Sequence, residues 1–466
     1  MEKVGDHIRS AMARRQWELS KFSNILQFGD LGLFWVAELP VLDHCVLERQ
    51  SIPSQPIVKI IPPQNEKDIG DLAKPSRTPA SIDTTLSHAE NIFGYRVRMD
   101  HPRFFGFIPS PASDLSWLGE VLNSAYNTHA GSWFQSSGPS AVEKHLLSWL
   151  TADIIGYPET AGGCFVSGGS MANLSALMLA RDQKLSFEQR SRAIAYTSEQ
   201  THSSLAKGLG ILGFHPSQIQ KVACDEDMRI NTSLLKLTIE KDKASGKIPF
   251  LIVGNAGTTN TGTSDPFIEL ADIARHDNMW LHADGAYGAS ALLCPSRRGI
   301  LNGIELSDSL SWDAHKWLFQ TYGCGMVLVR NRKTLTESFG TTAEYTQDAA
   351  EKAESMPNFW NYGPELTRPA RAMKLWFSFQ LLGLDAIDQA IRHGFELAEV
   401  AQSSLERLAD WEILSTAQMG IICFRYHPTQ VSAIKLDELN LKISQAAIEK
   451  SLAAPLTTRI RGVHYY

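Results

Sequence analysis

The chain has 466 residues, of which 43% are hydrophobic and 20% are charged, with a formal net charge of −6 and a pI of about 6.2. These values are typical of a globular protein that divides into two or three structural units. No block of basic residues stands out, so nucleic acid and anionic membranes are excluded as the main partners.

The cysteines and the N-terminal region exclude further classes of protein. The six cysteines occur singly and form no CxxC pair, which argues against zinc-ribbon and thioredoxin-type sites, and we predict no metal site. The N-terminus lacks the apolar core of a secretory signal. The apolar stretch 31–47 is interrupted by Glu38, Pro40 and Asp43 and is a poor membrane span. We therefore predict a cytoplasmic protein.

The composition and the hydrophobic pattern of the sequence change along the chain. Residues 1–90 are predicted to form an N-terminal arm or helical segment, because 51–81 is rich in Pro and Ser. From about residue 115, short apolar runs alternate with segments of helical periodicity, which predicts an α/β domain over 91–365 with a mainly parallel sheet. Two long helical patterns followed by a strand pattern predict a small C-terminal α+β domain over 366–466.

A glycine-rich stretch, CFVSGGSMANLSAL (164–177), lies between a predicted strand and a predicted helix. Small residues at such a turn let backbone N–H groups approach an anion at the helix N-terminus. The stretch lacks the GxxxxGK[ST] pattern, so it is not a nucleotide P-loop. An ordinary tight turn between strand and helix remains an equally simple interpretation of this stretch alone.

Other polar residues follow predicted strands further along the chain. His202 comes just after one strand, where α/β proteins form ligand sites, although a histidine there can also cap a helix or lie in the core. Asp284 ends an apolar strand, where a carboxylate needs a cation or a donor; capping a turn is the alternative.

Lys316 follows the next predicted strand, within SWDAHKWLFQ (311–320). A lysine in a site of low dielectric loses its proton more readily and becomes a nucleophile towards carbonyl groups, whereas most lysines are simply solvated. In the order glycine-rich turn, His202, Asp284 and Lys316, these features supply an anion cradle, a ring-stacking group, a carboxylate and an amine. Such a set suits pyridoxal 5'-phosphate (PLP).

At these residues the sequence resembles the group II PLP-dependent amino-acid decarboxylases, which include the aromatic-L-amino-acid decarboxylases. The resemblance extends from Asp100 to the C-terminus, and its most specific motifs are SGGSMANLSAL, EQTHSS, WLHADGAYG, DAHKWLFQ and LTRPARAMKLWF. It implies the fold type I architecture of PLP-dependent transferases (aspartate aminotransferase-like), a homodimer, and decarboxylation of an L-amino acid, with aromatic ones favoured. The final strand and helix of the family's C-terminal domain are expected to be absent.

The resemblance also implies roles for individual residues. Lys316 is similar to the lysine that carries the cofactor, Asp284 to the partner of its ring nitrogen, and His202 to the histidine stacked on the ring. Tyr345 corresponds to the tyrosine that protonates the product. The other cofactor-binding positions implied are Gly169, Ser170, Thr258, Thr259, Ala286, Asp313 and His315, and the candidate substrate-lining residues are Phe104, Phe105, His129 and Trp133.

Two alternatives to decarboxylation are compatible with the sequence. One is a related PLP enzyme with a different outcome, such as an aldehyde-forming oxidase or an aminotransferase. The other is a catalytically impaired paralogue that keeps the fold as a binding protein. Tyr345 favours a decarboxylase over the first alternative, and the combination of His202, Asp284 and Lys316 argues against the second.

Overall fold

The computed structural model describes residues 33–108, 110–341 and 356–466. The α-helices are α1 (Leu33–Ser51), α2 (Glu66–Leu72), α3 (Ile82–Gly94), α4 (Asp114–Tyr126), α5 (Trp133–Trp149), α6 (Gly169–Lys184), α7 (Ser203–Ile211), α8 (Thr232–Ala244), α9 (Phe267–His276), α10 (Lys333–Phe339), α11 (Ala372–Leu405) and α12 (Ala433–Glu449). Among these residues, no helix is long and apolar enough to cross a membrane.

The strands are β1 (Phe104–Phe105), β2 (Gly162–Val166), β3 (Ala193–Ser198), β4 (Ile219–Val222), β5 (Ile248–Asn255), β6 (Trp280–Asp284), β7 (Ser309–Asp313), β8 (Gly325–Val329), β9 (Trp411–Gln418), β10 (Ile421–Tyr426), β11 (Ala454–Pro455), β12 (Thr458–Ile460) and β13 (Val463–Tyr465). Seven of them form the central sheet in the order β2-β8-β7-β6-β5-β3-β4. Within this sheet, only β8 runs antiparallel to its neighbours.

The predicted mainly parallel sheet is therefore confirmed. Its central strands are almost wholly buried, and every residue of β6 and β7 lies in the interior. Parallel strands covered by helices on both faces are expected to be continuous apolar or small runs rather than alternating ones. This explains why the strands were visible in the sequence as short apolar runs.

The C-terminal part combines α11 and α12 with short antiparallel ladders, β9 with β10 and β12 with β13. The long helix α11 is interrupted at Gly383, whose φ of 72° and ψ of 164° are not helical. The sequence predicts two long helices in this region, and the structure shows one element with a break at Gly383. The resulting α+β composition matches the small C-terminal domain expected of the fold.

The chain divides into two compact units, one up to Arg98 and the other over Met99–Tyr466. The first unit contains α1, α2 and α3, and Glu48 and Arg96 form an ion pair of 2.6 Å within it. The Pro and Ser content of 51–81 does not exclude helices within this stretch or on either side of it, because proline is tolerated at helix starts. The boundaries predicted near residues 90 and 365 remain predictions.

Candidate active site

A cavity of about 390 Å³ lies at the edge of the central sheet where parallel strands end. The chain segments that follow β2, β3, β5, β6 and β7 all contribute to its wall. The carboxyl ends of parallel strands meet at one edge of a sheet, which is where α/β proteins form ligand sites. Residues far apart in sequence are thus brought together by the topology alone.

Every residue predicted to bind the cofactor lines this cavity. The set consists of Gly169, Ser170, His202, Thr258, Thr259, Asp284, Ala286, Asp313, His315 and Lys316. Thr258 is buried, and its hydroxyl forms a hydrogen bond of 2.8 Å with that of Thr261, whereas Thr259 is exposed. The order of motifs along the sequence therefore corresponds to a single place in the fold.

The glycine-rich turn forms one end of the cavity. Helix α6 begins at Gly169, directly after the turn, and the first N–H groups of a helix have no acceptor within it. A Cβ atom on Gly169 would lie 2.7 Å from Oδ2 of Asp313 and 3.1 Å from Cβ of Ala286. Even a methyl side chain at this position would therefore crowd these two residues. The turn and the helix N-terminus together suit an anion such as a phosphate group.

Lys316 lies opposite a buried carboxylate. Its Nζ is 3.5 Å from Oδ2 of Asp313, and its side chain is 19% exposed. Burial raises the pKa of Asp313, while the neighbouring Lys316 and His315 favour its charged form. Burial also lowers the pKa of His315. The residue after the lysine, Trp317, is buried and stacks on Tyr287 at 4.9 Å, which fixes the backbone that carries the amine.

Asp284 presents a well-supported carboxylate to the cavity. Its Oδ1 accepts hydrogen bonds from the hydroxyl of Ser311 (3.1 Å) and the backbone N–H of Ala286 (3.3 Å). Its Oδ2 accepts one from the amide of Asn173 (3.2 Å). The residue is 8% exposed, so a positive group in the cavity would be its natural partner.

His202 both caps a helix and lines the cavity, and these are two of the interpretations that the sequence left open. It is the N-cap of α7, and its Nδ1 accepts from the backbone N–H of Ser204 at 3.2 Å. The same imidazole lines the cavity. The cap therefore orients the ring, and the two interpretations do not exclude each other.

These groups fit PLP, a flat ring that carries a basic nitrogen, an aldehyde and a phosphate. The carboxylate of Asp284 is suited to the protonated ring nitrogen, and the amine of Lys316 to the aldehyde. The glycine turn with the N-terminus of α6 is suited to the phosphate. Each part of the cofactor finds a group of the matching chemistry in one cavity.

The other predicted site residues lie elsewhere. Tyr345 lies outside the described residues. The predicted substrate residues do not line the cavity: Phe104 pairs with Ala454 in a short ladder, Phe105 is 70% exposed, His129 packs edge-on against Trp360, and Trp133 begins α5. Their role in substrate binding remains a prediction.

The cavity also contains polar residues that the sequence did not single out. They are Ser167, Asn173, Gln200, Ser204, Asn255 and Tyr322. Helical spacing could have indicated Asn173, because it follows Gly169 by four positions and so lies on the same face of α6. Asn255 ends β5 just as Asp284 ends β6, and this parallel was also available.

An α/β fold that brings an amine, a carboxylate, a histidine and an anion cradle to one cavity defines a PLP-dependent enzyme. The sequence model of the pyridoxal-dependent decarboxylase conserved domain matches residues 63–427. The chain therefore belongs to the family of pyridoxal-dependent decarboxylases, and PLP is its cofactor. The match begins well before Asp100, so part of the N-terminal unit also resembles the family.

Similar proteins include decarboxylases and an aldehyde-forming relative. The chain is 41% identical over 372 residues to the aromatic-L-amino-acid decarboxylase of Bacillus atrophaeus, covering 80% of this chain and 77% of that protein. It is 29% identical over 380 residues to a phenylacetaldehyde synthase of Arabidopsis thaliana, covering 79% and 77%. The crystal structure of Oryza sativa TDC with PLP and tryptamine superposes with a TM-score of 0.89 at 25% identity, covering 94% of each chain.

Proposed function

We propose that this carboxy-lyase converts an aromatic L-amino acid to the corresponding amine and CO2. The observation that carries the proposal is the joint placement of Lys316, Asp284, His202 and the glycine turn around one cavity. The similarity to the Bacillus atrophaeus enzyme supports the choice of an aromatic substrate. When bound, PLP supplies the electron sink that accepts the electrons released as CO2 leaves.

The chain's own residues hold and orient the reactants. The N–H groups at the start of α6 would hold the phosphate, and the Nζ amine of Lys316 would hold the aldehyde end of the cofactor. Asp284 keeps a proton at the ring nitrogen, because its carboxylate is already supported by Ser311 and Asn173. The walls of the cavity orient the substrate carboxylate so that the bond to CO2 breaks.

Protonation of the product completes the proposed reaction. We assign this step to the phenol of Tyr345, acting together with the imidazole of His202. Nδ1 of His202 accepts the backbone N–H of Ser204, so Nε2 is the nitrogen left for contact with a substrate. The assignment of Tyr345 rests on its place in the sequence after α10.

A second candidate function is the oxidative formation of an aldehyde. The similarity to a phenylacetaldehyde synthase supports it, since that relative covers nearly as much of the chain as the decarboxylase does. Tyr345 favours the amine as product, because a positioned acid at the product carbon directs the reaction to simple protonation.

Two variants test the proposal. Lys316→Ala is expected to lose the visible absorbance of the lysine-bound cofactor and all turnover. In the presence of O2 as the oxidant, Tyr345→Phe is expected to shift the product from the amine towards aldehyde, ammonia and hydrogen peroxide, with CO2 released in both reactions. Tyr126→Phe, which removes an exposed phenol, serves as the control and is expected to form the amine at the wild-type rate. Amine formation by Tyr345→Phe at the wild-type rate would remove Tyr345 from the mechanism.

We also propose that the enzyme is a cytoplasmic homodimer. The family resemblance supports the dimer, and the six cysteines, all free, support a reducing compartment. Light scattering tests the assembly, because each chain has a mass of 51.6 kDa. A mass of one chain at working concentration would contradict the proposed dimer, and cell fractionation tests the compartment.

A further inference from the structure

A buried network of hydrogen bonds extends from the cavity wall into the interior and meets at Asn173. This residue is 1% exposed and belongs to α6. Its Nδ2 donates to the hydroxyl of Ser204 at 2.9 Å and to Oδ2 of Asp284 at 3.2 Å. Its Oδ1 is 3.0 Å from Nε2 of His282. A single amide thus contacts groups on α7 and β6 at once.

The hydrogen-bond partners determine the orientation of this amide. Both donor contacts use Nδ2 of Asn173, so Oδ1 accepts and Nε2 of His282 carries a proton. Nδ1 of His282 then accepts from the hydroxyl of Ser309 at 2.9 Å. The oxygen of that hydroxyl in turn accepts from the indole N–H of Trp280 at 2.8 Å. Every hydrogen bond in the series has one consistent direction, and all these side chains are fully or almost fully buried.

The series continues from Asn173 to the imidazole of His202. The hydroxyl of Ser204 accepts from Asn173 and is 2.9 Å from Nδ1 of His202. The backbone N–H of Ser204 also donates to this nitrogen. Nδ1 of His202 is therefore an acceptor, and in the neutral ring the proton is carried by Nε2. The network assigns this tautomer from its own geometry.

We propose that Asn173 is a positioning residue that fixes the Asp284 carboxylate and the His202 tautomer together. The inference rests on the roles proposed above for Asp284 and His202 at the cofactor. Burial supports it, because a partly satisfied polar network is unstable in the interior, so the series holds one arrangement only. Two groups that line the cavity are then held by one side chain, itself fixed through His282, Ser309 and Trp280.

Asn173→Leu removes the amide at nearly constant volume and tests the proposal. The pH titration of the visible cofactor band is expected to shift by about half a pH unit or more, because the carboxylate loses a donor. PLP is expected to bind about tenfold more weakly, since a hydrogen bond to a charged group contributes roughly that factor. Turnover is expected to fall through kcat more than through KM.

Asn440→Leu is the matched control. Asn440 is also 1% exposed and makes hydrogen bonds to the backbone of Tyr426 and Leu436, far along the chain in α12. Its loss is expected to lower stability while leaving the absorbance titration and the PLP affinity at wild-type values. A general loss of packing would affect both variants alike, and this result would overturn the proposal.

Trp280→Phe provides a second test at the far end of the series, should Asn173→Leu fail to fold. It removes the indole N–H that donates to Ser309 and keeps an aromatic ring. The pH titration of the visible cofactor band is expected to shift in the same direction as in Asn173→Leu, but by less. Unchanged titration and PLP affinity in the folded variants would overturn the role of Asn173 while leaving the proposed function intact. Failure of the proposed function would instead be seen as wild-type protein that forms no visible band with PLP.

Discussion

Arg368 shows how one buried ion pair can join separate parts of the fold. Arg368 and Glu143 are each 1% exposed and lie 2.7 Å apart. The guanidinium also donates to the carbonyl oxygens of Ala130 (2.9 Å) and Phe165 (2.8 Å), and the N–H of Phe165 donates to Glu143. The pair therefore connects α5 and β2 to the chain that leads into α11.

Removal of one partner is expected to leave the other as an uncompensated buried charge. Arg368→Met should lower the free energy of unfolding by about 3–5 kcal/mol, whereas adding Glu143→Leu should recover part of this loss. Arg275→Met removes an exposed pair with Asp272 and should change stability by less than about 1 kcal/mol. Urea unfolding checks all the variants. A double variant less stable than Arg368→Met would contradict the argument.

His282 gives the protein an acid-sensitive element at the residue scale. Burial lowers its pKa to about 4, although Asp284 nearby favours the charged form. The imidazole of the unfolded chain titrates near its ordinary value of 6.5. Between these values the unfolded state binds a proton and the folded state does not, so stability is present above pH 6.5 and falls as the pH drops towards 4.

The expected loss from this residue is about 2 kcal/mol between pH 7 and pH 5. His282→Gln should reduce the pH dependence of the unfolding free energy by that amount, whatever its effect at neutral pH. His393→Gln removes a histidine whose side chain is 66% exposed and should leave the pH dependence unchanged. Urea unfolding of PLP-loaded protein at both pH values measures the difference. Equal pH dependence in wild type and His282→Gln would contradict the assignment.

At the scale of elements, the positions of helices and strands were largely visible in the sequence. The strands of the central sheet are buried apolar runs, and the helix beginning at Gly169 follows a glycine-rich turn as predicted. The sequence also predicted two separate helices near the C-terminus, but only the structure shows one long element with a local break at Gly383. Sequence alone does not distinguish a break from a helix end, because that depends on what each half packs against.

Gly383 allows a direct test of backbone strain. Nothing lies within 4 Å of a Cβ atom built on it, so the cost of Gly383→Ala arises from its φ of 72° and ψ of 164°. We expect a loss of about 1–3 kcal/mol in the free energy of unfolding. Gly210→Ala, at a helical position of α7 with equally open surroundings, should gain about 0.5–1 kcal/mol. Thermal unfolding of both variants checks the contrast, and similar changes in the two would refute it.

At the scale of the whole molecule, the parallel sheet explains which site residues were predictable. The cofactor residues follow strands whose carboxyl ends share one edge, so their order in sequence was enough to predict a common cavity. The candidate substrate residues lie in segments outside this sheet. Aromatic side chains such as Phe105 and Trp133 serve packing and binding alike, so composition could not place them. Asn173 was missed because its side-chain contacts come from two other elements, α7 and β6.

The cofactor itself should contribute to the stability of the whole molecule. A ligand that binds only the folded state stabilises it by about 2.7 kcal/mol at a concentration one hundred times its Kd. Removal of PLP is therefore expected to lower the thermal midpoint, and its return to restore it. Pyridoxal, which lacks the phosphate, should restore less at equal concentration, because it leaves the N-terminus of α6 without an anion.

The variant Gly169→Ala tests how much of the thermal stabilisation by PLP comes from its phosphate group. A Cβ atom at this position approaches Oδ2 of Asp313 at 2.7 Å and fills the space beside the helix N-terminus. The difference in thermal midpoint between PLP and pyridoxal is expected to shrink in this variant, because the phosphate loses access to the N–H groups of α6. Gly210→Ala, at the other end of a different helix, should keep the full difference. If pyridoxal stabilised the wild-type protein as well as PLP does, the N-terminus of α6 would not be the phosphate site.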